Sequence, residues 1–244
     1  MPLVALDLPA GVYRNGTDLQ SQGRWRDSNL VRWHDNTMQP IQGWRTRSDT
    51  ASSTKPRSIH AWIDNSNDRW ITVGSYNKLY VYNSASTQFD ITPAGLTSGF
   101  EDANNPVGYG NSFYGQEAYG TQRQESDIPD PATTWSLDSW GEYLVACSDA
   151  DGKVYEWQLN TGTPAAQVAN APINNRGIVV TDERFLMCLG AGGNPRKVQW
   201  SDRENNTVWT PAATNEAGDI ELQSNGRIEC AVRIQNQTLI LTDT

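Results

Sequence analysis

The chain is poor in the residues that most often carry chemistry. Its 244 residues include two histidines, His34 and His60, and three cysteines, Cys147, Cys188 and Cys230. Neither histidine has a cysteine or a second histidine at ligand spacing, which excludes a structural zinc site. The cysteines lie about 41 residues apart within apolar segments. That is too few for a disulfide framework, and buried reduced thiols are expected. No apolar run approaches the 18 or so residues of a membrane-spanning helix. The stretch from Met1 to Pro9 has no basic region and carries Asp7 inside its apolar residues. It does not read as a secretory signal, so the expectation is a protein made in a cytoplasm and kept there or packaged from it.

What is abundant is aromatic and turn-forming: 10 Trp, 9 Tyr, 20 Gly and 12 Pro, with 37% hydrophobic and 19% charged residues. This much aromatic surface offsets the entropy of ordering and argues against disorder. From residue 56 onward, short β-rich runs separated by turn signals replace any sustained 3.6-residue period, which predicts an all-β fold. The runs include Ser58 to Ile63, Arg69 to Val73, Lys78 to Tyr82, Trp135 to Trp140, Glu142 to Cys147 and Lys153 to Trp157. Further along come Gly177 to Thr181, Arg184 to Leu189, Lys197 to Trp200, Arg227 to Ile234 and Thr238 to Leu241.

These runs recur as a unit. A first strand is followed by a tight turn, an apolar second strand, a Gly- or Asp-containing loop and a third strand that opens with Lys and alternates toward an aromatic. Lys153 and Lys197 open such strands 44 residues apart, and Lys78 precedes Lys153 by 75. Removing an irregular segment of roughly 30 residues restores the spacing of about 40–50 expected of a propeller blade. The pattern predicts β-propeller-like blades, with a β-sandwich as the competing architecture. Units begin near Ser58, Trp135, Gly177 and Arg227, so the chain is expected to hold three blades and a fourth that stops after its second strand. Stacked sheets avoid leaving edges and apolar faces in water. The remaining blades are therefore expected from a longer chain or a companion polypeptide.

Three regions follow. Residues 56–244 are the blades, interrupted at 95–131 by an acidic insertion rich in Gly and Tyr, including Tyr109, Tyr114 and Tyr119. Such a loop is a candidate interaction surface. Residues 1–55 are an extended arm and a hairpin, with Asp35 and Asn36 at the turn. The arm alternates aromatic and cationic residues, and Tyr13, Arg14, Arg24, Trp25 and Arg26 are its candidate docking residues. Charge is divided unevenly: residues 1–60 hold eight basic against five acidic side chains, residues 61–244 eleven against 23. An acidic body repels phosphate and argues against sequence-specific nucleic-acid binding.

No motif supports catalysis, a cofactor or a metal. The run from Gly190 to Lys197 lacks the spacing of a phosphate loop and lies between two strands where that loop needs a helix. Asp149, Asp151 and Gly152 resemble the start of a calcium loop, but its closing bidentate Glu is absent and a hairpin turn is the simpler reading. No Gly-x-Ser-x-Gly elbow occurs. Paired carboxylates for glycoside hydrolysis stay open as a class, but no spacing selects a pair.

Several stretches resemble bacteriophage tail proteins of the nozzle or packaged-DNA-stabilisation type found in short-tailed phages. They are the run from Gly11 to Thr17, Gly23 to Asp27 with Asn29 to Trp33, Gly43 to Arg45, the Tyr-Gly repeats of the insertion, Trp135 to Gly141, and Gly193 to Asp202 with Asn205 to Pro211. The resemblance implies a non-enzymatic virion component, assembled in the host cytoplasm. Its implied setting is a homo-oligomeric ring, such as a hexamer, that retains packaged DNA and passes double-stranded DNA non-specifically during ejection. The arm would dock on a tail adaptor or portal-proximal protein. The competing readings are a carbohydrate-binding propeller adhesin at the tail tip and a propeller glycosidase.

Overall fold

A computed structural model describes residues 8–41, 43, 46, 48, 50–103, 131–235 and 237–243. Its contacts divide the chain into two units, Met1–Arg47 and Ser48–Thr244. In the first, Asp35 and Asn36 take positive φ, 48° and 57°, the pair of left-handed residues that a two-residue hairpin turn needs. They join β1 (Val31–His34) to β2 (Thr37–Pro40).

The second unit is a series of antiparallel meanders. The first contains β3 (Ser58–Ile63), β4 (Arg69–Gly74), β5 (Leu79–Tyr82) and β6 (Gln88–Asp90). The next contains β7 (Trp135–Trp140), β8 (Tyr143–Ser148), β9 (Val154–Trp157) and β10 (Ala166–Gln167). The third contains β11 (Gly177–Val180), β12 (Leu186–Leu189), β13 (Lys197–Trp200) and β14 (Gly218–Glu221). A two-stranded sheet of β15 (Ile228–Ile234) and β16 (Gln237–Thr242) follows. In each four-stranded sheet the strands lie side by side in chain order.

The sheets stack through their first strands: β3 contacts β7, β7 contacts β11, and β11 contacts β15. Backbone and side chain stitch these strands together. Ser58 Oγ accepts from Trp135 N–H at 3.0 Å, and Asp138 Oδ2 accepts from Val180 N–H at 2.8 Å. Ser136 Oγ donates to the Ile178 carbonyl and accepts from the Ile178 N–H. First strands drawn together, with later strands splayed outward, are the arrangement of propeller blades. The expected all-β, propeller-like architecture is thus present: among the described residues each sheet is built of strands consecutive in the chain, where a sandwich would interleave them between two sheets. The fourth strand of each blade, β6, β10 and β14, is an element that the three-strand repeat did not contain.

A sheet inside such a stack is buried on both faces, so neighbouring residues in one strand enter different cores. Leu144 and Ala146 pack with Trp62, Trp70, Leu79 and Val81 of the preceding sheet. Val145 and Cys147, between and beside them, pack with Ile178, Val180, Leu186 and Cys188 of the following one. Trp157 meets Trp62 and Trp70 edge-on, with ring centroids 6.4 and 5.3 Å away. Gly74 permits a close approach in the first seam. A Cβ there would lie 2.4 Å from the Trp135 ring, whose Nε1 donates to the Ser75 carbonyl at 2.7 Å.

Trp157 is almost fully buried at this seam. We predict that Trp157→Ala costs about 3–5 kcal/mol, measured as a lower urea midpoint at unchanged slope. A cost under about 1 kcal/mol would show that the first and second sheets do not unfold as one unit.

Candidate functional site

The features that most limit function lie at the two ends of the stack. In the first sheet, Ser58, His60 and Trp62 turn toward the second sheet, so strand alternation points Ile59, Ala61 and Ile63 the other way. Ile59 is 72% exposed, and Ile63 is also exposed. In the last sheet, Ala231 and Ile240 pack toward Leu189 and Val198. The opposite face carries Val232 paired with Leu239, Cys230 paired with Leu241, and Ile234. Val232 is 52% exposed, and Ile234, Leu239 and Leu241 are similarly open. Both faces have the composition that the inner sheets bury.

Beside the last sheet, Phe185, Met187 and Trp200 share a cleft of about 420 Å³ with Asp182, Glu183 and Gln237. Ile220, next to Val198 across β13 and β14, is also exposed. The gap lies where the outer half of a full blade would cover this face of the third sheet.

At the inner strands the polar groups form a network. His60 Nε2 and Ser139 Oγ are 2.9 Å apart, and the imidazole stacks on Trp62 with centroids 5.8 Å apart. Asp138 accepts from Ser139 N–H through Oδ1 and from Val180 N–H through Oδ2. The Arg233 guanidinium lies 3.9 Å from Asp138 and 3.6 Å from Asp182. Burial pushes the His60 pKa down, Asp138 pulls it back up, and Arg233 lowers it further. A Ser–His pair acts as a nucleophile–base pair only when a third group orients the base. Among the described residues no carboxylate bonds to His60 Nδ1, and Asp138 accepts from two backbone N–H groups; the His60–Ser139 contact joins the first and second sheets.

The candidate docking residues of the arm are brought together within their own unit. Tyr13 N–H donates to the Trp25 carbonyl at 2.8 Å, and the Arg24 guanidinium lies 5.3 Å from the Tyr13 ring centroid. Arg14 pairs with Asp27 at 2.8 Å and Arg26 with Asp18 at 2.5 Å, all four side chains well exposed. Trp25 Nε1 is buried without a hydrogen-bond partner. Tyr109, Tyr114 and Tyr119 lie outside the described residues. Sequence reasoning did not anticipate the network of Ser136, Asp138, Ser139 and Arg233. Its one signal was the presence of Ser136, Asp138 and Ser139 in a strand bounded by Trp135 and Trp140.

No family model and no curated protein matches the chain. In structure it is similar to selenomethionine-substituted virginiamycin B lyase from Staphylococcus aureus, at 9% identity and a TM-score of 0.44. The match covers 87% of this chain and 55% of that one, so the chain spans just over half of the length of that protein.

The lowered His60 pKa has a definite sign. The folded state resists protonation, so this stability is present above the unfolded value near 6.5. It is lost as pH falls through that value toward the folded one. We predict that His60→Gln, which keeps a partner for Ser139 but cannot titrate there, flattens the fall in melting temperature below pH 6.5 relative to the native chain. Parallel curves for the two proteins would refute the assignment.

Proposed function

We propose that this chain is a structural subunit of a short-tailed phage tail, nozzle-like in kind, working as part of a ring that retains packaged DNA and channels it during ejection. The observation that carries the reading is the pair of outward apolar faces at opposite ends of one stack of blades. Faces of that composition left in water are costly and mark interaction surfaces. Because they differ from each other, docking one onto the other is head-to-tail, and a head-to-tail contact that closes makes a ring. The resemblance to nozzle proteins in residues 11–33 and 193–211 supplies the tail setting.

The charge fits a conduit. Residues 61–244 carry twelve more acidic than basic side chains, and a wall of that sign confines a duplex without adhering to it. The arm residues Tyr13, Arg14, Arg24, Trp25 and Arg26 present exposed guanidiniums and aromatic surface suited to docking on an adaptor or portal-proximal protein. No catalytic role is assigned. The cleft with Phe185 and Trp200 beside Asp182 and Gln237 favours carbohydrate binding as the second reading, since sugar rings stack on aromatic faces beside hydrogen-bonding groups.

Electron microscopy of virions with and without the protein separates the two. The ring reading expects particles that leak DNA when it is missing, and the adhesin reading expects full particles that fail to attach. In solution, the native chain is expected to self-associate with rising concentration. Ile59→Glu combined with Leu241→Glu is expected to weaken association by about tenfold or more, with the monomer's melting temperature little changed. A native chain that stays monomeric at high concentration would overturn the ring of like subunits.

A further inference from the structure

We propose that the β1–β2 hairpin of one copy completes the last sheet of a neighbouring copy, adding a third and a fourth strand at the edge of β16; this rests on the ring of like subunits. The last sheet is two strands short of its predecessors. Each sheet before it has four, whereas among the described residues β16 pairs with β15 alone, and β1 and β2 form a two-stranded sheet of their own. The third strands β5, β9 and β13 are four residues long, as is β1.

Backbone alternation determines which edges are open. In an antiparallel pair, residues bonded to the partner strand alternate with residues whose N–H and C=O point away. Ile41 N–H donates to the Leu30 carbonyl at 2.8 Å, so Arg32 and His34 bond toward β2, and Val31 and Trp33 turn their backbone groups away from it. By the same count Pro40 takes an outward position on β2, where its missing N–H blunts that edge. β1 is therefore the edge able to pair, and β2 is suited to be outermost. In the last sheet, Asp243 N–H donates to the Arg227 carbonyl at 3.1 Å, which leaves the backbone groups of Thr238 and Ile240 pointing away from β15.

The same alternation decides which side chains turn inward. Bonded residues on paired strands lie opposite each other on one face, so Val31 and Trp33 would share a face with Thr238 and Ile240. Ile240 packs toward the third sheet, and Thr238 lines the cleft with Phe185, Met187 and Trp200. Within the hairpin, Pro40 lies beside Val31 and Met38 beside Trp33. Its apolar side thus falls on the open apolar face of the third sheet, and Arg32, His34, Thr37 and Gln39 fall on the other. Opposite parity at either edge would have turned the polar side inward. The third strand β9 is used in this way: its Tyr155 and Trp157 cover the first sheet.

Reach favours a neighbouring copy over the chain's own hairpin. With sheets about 10 Å apart and strands about 4.8 Å apart, a copy whose β3 lies on the Val232 and Leu239 face starts about 14 Å from the β16 edge. The chain's own β3 lies three sheet spacings away, about 30 Å. Residues 42–57 extend to about 50 Å at most, and the shorter closure costs less chain entropy. Residues 1–60 are net basic and residues 61–244 net acidic, so the contact joins opposite charges.

The test uses the full chain with the exposed Cys230 replaced, Cys230→Ser. Copies carrying His34→Cys are mixed with copies carrying Gln237→Cys and treated with a short bismaleimide. A cross-linked dimer is expected in the mixture and in neither variant alone. In a chain carrying both changes, linked oligomers are expected. A link confined within one chain, or no link in the mixture, would overturn the proposal. Thr238→Pro removes an outward N–H of β16 without taking a bond from β15. It is expected to weaken self-association by about tenfold or more, with the melting temperature of the dilute monomer little changed. If Thr238→Pro associates like the native chain while Ile59→Glu with Leu241→Glu does not, the ring stands and the hairpin contact falls. A native chain that stays monomeric removes both.

Discussion

The second strand of a sheet in the middle of the stack has to satisfy two cores at once, and most of the architecture follows from that constraint. In β8, alternate residues leave in opposite directions: Leu144 and Ala146 join the aromatic seam with Trp62, Trp70 and Trp157, while Val145 and Cys147 join the aliphatic seam with Ile178 and Val180. A shift of one residue in register would exchange the two sets, placing a large residue where a small one fits. The apolar runs of the second strands, continuous rather than alternating, are the sequence record of this double burial.

The seams are not apolar throughout. Their inner edges are closed by hydroxyls and a carboxylate that replace the hydrogen bonds a first strand cannot obtain from its own sheet. Ser58, Ser136 and Asp138 each bond to the backbone of the next sheet's first strand. Directional bonds of this kind fix how far one blade can slide along the next, which close-packed side chains alone do not. His60 extends the same seam outward, bonded to Ser139 and stacked on Trp62.

The constraint also defines where function can reside. The same two-sided chemistry that buries β8 leaves Ile59 and Ile63 at one end, and Val232, Ile234, Leu239 and Leu241 at the other, without a neighbouring sheet among the described residues. The proposed ring uses these faces.

The sequence by itself determined the strands that carry apolar alternation, the hairpin turn at Asp35 and Asn36, and the points near Ser58, Trp135, Gly177 and Arg227 at which each unit begins. These are local properties, set by side-chain period and backbone φ, and local properties are written residue by residue. It did not reveal β6, β10 and β14, because outermost strands such as Gln88–Asp90 and Ala166–Gln167 are short, largely polar and held by pairing rather than by burial. Nor did it pair His60 with Ser139 across 79 positions, or place Asn175 beside Gly152. Only the tertiary structure decided those, because contacts between blades depend on which face of each sheet meets its neighbour, and that is fixed by the stacking of whole sheets.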